Sequence, residues 1–199
     1  MKLKYMGKYS GNENDLPQKE HPENAVPFKE PQNMKKFALV INVASIIIFF
    51  ALLAVIFLRT GRSFVIDGSL SLKKFGVFYL GILASVLAAV PHEFLHALCF
   101  KDEVQMYQNL KQGMLFVIGI EDMSKARFIF MSLLPNIIFG FIPFLIFLVN
   151  PSLIFFGSLG ALGIASGAGD YLNVVNAAVQ VPKGAKIYMS GMHSYWYLP

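Results

Sequence analysis

Five consecutive residues, His92-Glu93-Phe94-Leu95-His96, carry the most concentrated chemistry in this 199-residue chain. On a helix, residues i and i+4 share a face, so both imidazoles can reach one metal ion. Glu93 follows the first histidine directly. From there a carboxylate can take a proton from a water that the metal has acidified to a pKa of about 7. The spacing predicts a hydrolytic metal centre with zinc as the metal. Catalytic zinc takes three protein ligands plus water, so two histidines leave the site one ligand short. The chain has a single cysteine, Cys99, which excludes both a Cys-rich zinc site and an intramolecular disulfide. The competing account is two core histidines near the end of an apolar helix, with no metal at all.

The elements that must position these residues are apolar. Of the whole chain, 55% is hydrophobic and only 15% charged, with 19 phenylalanines. A soluble domain carries about 25% charged residues, and here the deficit is concentrated in long uncharged runs. Phe37–Leu58 is uncharged and, at roughly 33 Å of helix, long enough to span hydrocarbon. Three further spans are expected at Phe75–Phe100, Phe128–Val149 and Ser152–Val181. Pro135 and Pro143 lie inside the third, and glycines crowd the first half of the fourth. Asp67-Gly68 signals a turn between the first two spans. Between the second and third, Val104–Leu110 and Met114–Ile120 flank Lys111-Gln112-Gly113 and suit a short β-hairpin. Residues 1–34 hold no apolar core, and Pro17, Pro22, Pro27 and Pro31 punctuate them; this composition predicts a disordered cytoplasmic tail and no cleavable signal peptide. The stretch after Lys186 is short and aromatic and has no clear pattern. The fold class expected is therefore an all-α integral membrane protein of about four transmembrane helices with one hairpin, forming a single membrane-embedded domain from 35 to 199.

His, Asp or Glu inside the expected spans occurs at only four positions: His92, Glu93, His96 and Asp170. A carboxylate near mid-bilayer costs about 2.5–3.5 kcal/mol, so such residues point to function. Asp170 is the favoured third ligand. It lies about 11 residues from the inner end of its span, roughly 16 Å, and His92 lies 8 from the end of its own, roughly 12 Å. Both spans run in the same direction, so the two levels are similar. His193 is an alternative third ligand beyond the last span. Asn136 and Asn173 are possible supporting groups that orient ligands or stabilise an oxyanion, with ordinary hydrogen bonds between helices as the alternative. Pro91, just before His92, would leave the Leu87 carbonyl without its helical donor.

Lys and Arg are distributed unevenly. With four spans, 13 of 17 fall on the side that holds both termini, which predicts cytoplasmic termini. The formal charge of +5 reflects these flanking residues. No basic cluster is interleaved with aromatics, so no nucleic-acid partner is expected. The partners expected are bilayer lipid and a membrane-associated peptide or protein.

PHEFLHAL at 91–98, MSKARFIFMSLLP at 123–135 and SGAGDYLNVV at 166–175 together resemble the bacterial family of membrane zincin peptidases. That family is in turn similar to the site-2 proteases, which cut peptide bonds within membranes. The resemblance spans roughly Phe75 to Lys186. It implies zinc, His92, His96 and Asp170 as ligands, and Glu93 as general base. Site-2 proteases carry Leu-Asp-Gly at the third ligand, whereas here Gly169 precedes Asp170 and Tyr171 follows it. The function expected is an intramembrane zinc metallopeptidase of the bacterial cell membrane. The alternative is a non-enzymatic membrane metal-binding protein: a transporter, a sensor or a structural zinc site.

Overall fold

The computed structural model describes residues 2–31, 33–61, 65–66, 69–109, 111 and 113–199. The expected turn at Asp67-Gly68 lies outside the described residues, as does Gln112 of the hairpin loop. The chain divides into two compact units, residues 1–39, 90–134 and 170–199 in the first, and 40–89 and 135–169 in the second.

The first unit contains strands the sequence reading did not anticipate, so the protein is not all-α. A three-stranded sheet runs in the order β1 (Lys2–Lys8), β5 (Glu103–Asn109), β6 (Met114–Ile118). A second sheet has four strands in the order β2 (Val26–Pro27), β9 (His193–Tyr197), β8 (Lys186–Ser190), β7 (Met123–Ser124). A minor pair, β3 (Val65–Ile66) and β4 (Ser69–Leu70), belongs to the second unit. The runs expected as a hairpin are β5 and β6, antiparallel with Met106 opposite Val117. Alternation explains why they are strands: Val104 and Met106 turn into the core while Glu103 and Gln105 stay near the surface.

The N-terminal tail is not disordered. Its β1 pairs in parallel with β5, from Lys2 opposite Glu103 to Lys8 opposite Gln108. Tyr9, Leu16 and Phe28 are buried, so a polar, proline-punctuated segment is anchored by three large side chains. The aromatic C-terminus is the β8–β9 hairpin, which turns at Gly191 with φ +60°, a conformation glycine adopts without penalty. Val26 pairs with Trp196, and the Phe28 N–H donates to the Ser194 carbonyl at 2.9 Å. Strand β2 and the C-terminal hairpin thus meet in one sheet. Around them Phe28, Ala97, Phe128, Met131, Ala177 and Ile187 belong to one continuous core.

Among the described residues, three helical stretches are long and apolar enough to cross a membrane: Lys35–Thr60, Leu72–Leu98 and Lys125–Val149. Each exceeds the roughly 20 residues that hydrocarbon requires. The first is α1 (Met34–Thr60), with Val43, Ile46, Ile47 and Phe50 exposed. An exposed apolar surface this extensive suggests membrane association. The second stretch is two helices, α2 (Leu72–Leu87) and α3 (Ala89–Leu98), interrupted at Ala88. Pro91 accounts for the break, because its ring would clash with the Leu87 carbonyl in a continuous helix. The third joins α4 (Lys125–Asn136) to α5 (Ile142–Val149) through a wider π-helical turn at Ile137–Phe141.

The fourth expected span is not one helix. Ser152–Val181 contains α6 (Ile154–Ser166) and α7 (Ala168–Gln180), separated at Gly167. At 13 residues, α6 rises roughly 20 Å, short of the roughly 30 Å of hydrocarbon. The Gly167-Ala168-Gly169 run supplies little helix propensity, and the Ser166 hydroxyl donates to the Gly163 carbonyl at 2.9 Å, competing with the helix ladder. Within the second unit the α6 glycines serve close packing. A Cβ at Gly160 would lie 2.4 Å from the Phe144 backbone nitrogen, and one at Gly163 would lie 2.2 Å from the Phe139 carbonyl oxygen.

Candidate metal centre

The site belongs to the first unit. Helix α3 is short, and its i and i+4 positions bring the two imidazoles together, with His92 Nε2 3.2 Å from His96 Nε2. From α7, Asp170 reaches both rings: Oδ2 is 3.2 Å from His92 Nε2, and Oδ1 is 3.2 Å from His96 Nε2. All three side chains are largely shielded, at 13%, 8% and 16% exposure for His92, His96 and Asp170. Asp170 sits in the first turn of α7, where free backbone N–H groups and the helix dipole favour a carboxylate.

Hydrogen bonding fixes how these groups face one another. His96 Nδ1 lies 2.9 Å from the Met131 carbonyl. A carbonyl only accepts, so Nδ1 carries the proton. Nε2 then faces another imidazole nitrogen and a carboxylate oxygen, an arrangement that either an Nε2–H bond to Asp170 or a shared cation satisfies. A tetrahedral zinc centre with bonds of about 2.0 Å holds its ligand atoms about 3.3 Å apart, and the observed separations of 3.2 Å match that spacing. The donor set, two imidazoles and one carboxylate, also suits zinc.

Glu93 has a different setting. Its carboxylate accepts a hydrogen bond from the backbone N–H of Val117 on β6. Its ligand atom still lies within 4.8 Å of those of His92 and His96, so this glutamate borders the two nitrogens. Strand β6 is the last strand of its sheet, so among the described residues one of its edges has no strand partner.

Three residues that shape the site were not singled out in the sequence: Met131, Arg127 and Glu121. Arg127 Nε donates to the Cys99 carbonyl at the end of α3 at 2.9 Å, and its Nη2 also binds that carbonyl. Nη2 pairs with Glu121 Oε1 at 2.6 Å, while Glu121 Oε2 accepts the N–H groups of Lys101 at 2.6 Å and Asp102 at 2.9 Å. The end of α3, three residues past His96, is therefore clamped from α4. The remaining candidates lie elsewhere. Ring nitrogens of His193, on β9, face Glu30 at 3.0 Å and Glu13 at 3.8 Å; the bond to Glu30 raises the histidine's pKa above its ordinary value. Asn136 is fully buried in the second unit, so close to Gly167 that a Cβ there would lie 1.8 Å from Oδ1. Asn173 is half-buried, one turn beyond Asp170 on α7.

No curated protein and no solved structure matches the chain. A family model described as "Putative zincin peptidase" matches residues 85–186, half of the chain, from the end of α2 through the site helices to the start of β8. Because that match covers half of the chain and includes His92, His96 and Asp170, the chain belongs to the family so described.

Proposed function

We propose that the protein is an intramembrane zinc metalloprotease that hydrolyses peptide bonds of membrane-associated substrates, with His92, His96 and Asp170 holding the zinc and Glu93 as general base. The observation that carries this reading is the convergence of three shielded side chains of zinc-ligand type at 3.2 Å with a glutamate beside them. Zinc, when bound, supplies a Lewis acid that polarises a peptide carbonyl and acidifies water. Glu93 takes the proton of the attacking water and returns it to the leaving amine. Asp170 adds negative charge to the ligand set, and the Met131 carbonyl keeps His96 oriented. The free edge of β6 gives an extended substrate a backbone to pair with, next to Glu93. Three membrane-length apolar helices support an integral membrane location. The β2–β9 pairing supports one side of the bilayer for both termini, and the excess of Lys and Arg supports the cytoplasmic side.

The test separates binding from catalysis. Purified wild type is expected to hold about one zinc per chain, lost in His92→Ala and His96→Ala. Glu93→Gln keeps the size and hydrogen bonding of the side chain but removes the base. It should retain zinc and lose roughly 10²–10⁴-fold in turnover. Asp170→Asn should weaken zinc binding instead. The readout is quantitative proteomics of membranes from cells expressing each variant, followed by cleavage of the truncated proteins it reveals. Identical membrane peptides in wild type and Glu93→Gln, with zinc and expression normal, would overturn the protease reading in favour of a non-enzymatic metal protein.

A further inference from the structure

We infer that Pro135 is a positioning residue: its missing N–H frees the Met131 carbonyl, which accepts the His96 Nδ1–H and so keeps the ring turned with Nε2 toward His92 and Asp170. In an α-helix the carbonyl of residue i accepts the N–H of residue i+4. For Met131 in α4 that partner is residue 135, and proline has no N–H to give. Met131 is buried, so its carbonyl, without a helical donor, is satisfied by a donor from another element. His96 Nδ1 is that donor, at 2.9 Å.

The arrangement is held in register. Arg127 precedes Met131 by four residues and so lies on the same face of α4. Its guanidinium grips the Cys99 carbonyl while the Met131 carbonyl grips the His96 ring. Helix α4 thus holds α3 at two points about one turn apart, and the ring cannot slide away from the carbonyl without breaking the Arg127 contact. An ordinary proline kink would bend α4 without any bearing on a histidine of α3.

Pro135→Ala restores an N–H at 135 and with it a competitor for the Met131 carbonyl. Alanine is the better helix former, but Pro135 is fully buried and its lost ring carbons leave a cavity, so thermal stability is measured alongside. Two measurements decide. Selective ¹⁵N-histidine NMR of the metal-free protein, with His96 assigned by difference against His96→Gln, should show a slowly exchanging Nδ1–H on His96 in wild type and a fast-exchanging one in Pro135→Ala. The zinc dissociation constant should rise about 10–100-fold, as it does when a ligand's supporting hydrogen bond is lost. Lactic acid at 135, which places an ester there and so lacks the N–H without carrying proline's ring, should restore both. Wild-type Nδ1–H exchange and wild-type affinity in Pro135→Ala would overturn the inference. Should that variant not fold, the ester decides alone, because Nδ1–H exchange unlike wild type would overturn the proposal. The zinc arm rests on the metal-centre reading and the Nδ1–H exchange does not. Wild type without zinc would therefore refute the metal centre, while the NMR result would still decide the role of Pro135.

Discussion

Replacing Arg127 with alanine should destabilise the protein more than any other single charge removal in the first unit. Glu121 is only 7% exposed, and its carboxylate meets the guanidinium at 2.6 Å. Removing one partner of a buried pair costs about 3–5 kcal/mol, because a buried charge is left uncompensated. Glu121 keeps the N–H groups of Lys101 and Asp102, and Arg127 is 26% exposed, so the lower figure applies. Against this, the Cys99 carbonyl loses its guanidinium. A net loss of about 3 kcal/mol converts to a fall in melting temperature of about 6–12 °C for a chain of this size. Thermal unfolding in nanodiscs would measure it, alone and in the Glu121→Gln background. If the two residues act as one clamp, Glu121→Gln should cost far less once Arg127 is gone, with a coupling of about 1 kcal/mol or more. A drop under about 2 °C, or additive losses, would show that the clamp seen in the geometry contributes nothing to holding α3.

Two further expectations concern regions away from the site. His193 has its pKa raised by the hydrogen bond to Glu30, so the protonated ring stabilises the fold; that contribution is complete below the unfolded value of about 6.5 and is lost as pH rises through the higher folded value. The melting-temperature gap between wild type and His193→Ala should therefore be widest near pH 6 and close above neutrality; a gap that widens with pH would reverse the assignment. In the second unit, Gly160→Leu should abolish monodisperse protein on size-exclusion chromatography, because its Cβ would meet the Phe144 backbone nitrogen at 2.4 Å. Gly76→Ala in α2 meets nothing within 4 Å and should raise stability by about 0.5–1 kcal/mol; equal behaviour of the two variants would contradict the packing described.

The membrane-length helices were legible to different degrees. Uncharged runs such as Phe37–Leu58 point to a helix long and apolar enough to cross a bilayer, because few other settings need so many consecutive apolar residues. The strand pair β5–β6 was visible because its alternation is local. The N-terminal tail was misread for the opposite reason. Its order comes from residues distant in sequence, with Lys2 opposite Glu103 and Val26 opposite Trp196. Composition sees four prolines and many charges, and it cannot see that Leu16 and Phe28 have a core to enter. The hairpin at 186–197 was missed likewise, since Ile187 and Tyr188 break a clean period of two by both being buried.

For the site, the residue types at positions 92, 93, 96 and 170 were readable; what held them was not. Each depends on an interruption in a helix that hydropathy treats as continuous. Asp170 is the clearest case. Read as part of one span from Ser152 to Val181, it would be a carboxylate in mid-helix, with every nearby backbone N–H already bonded. The break at Gly167 makes it a first-turn residue of α7 instead, next to N–H groups that no carbonyl of its own helix accepts. The break after α2 does the same for α3, where Pro91 occupies the first turn and its missing N–H costs nothing. In α4 the interruption is a single absent donor at Pro135, and its signal was present in the sequence as an offset of four from Met131. Backbone irregularity at membrane depth survives only where protein encloses it. The interruptions therefore mark the stretches of backbone that help hold the site, and the prolines and glycines that seem to weaken these helices are what let them carry it.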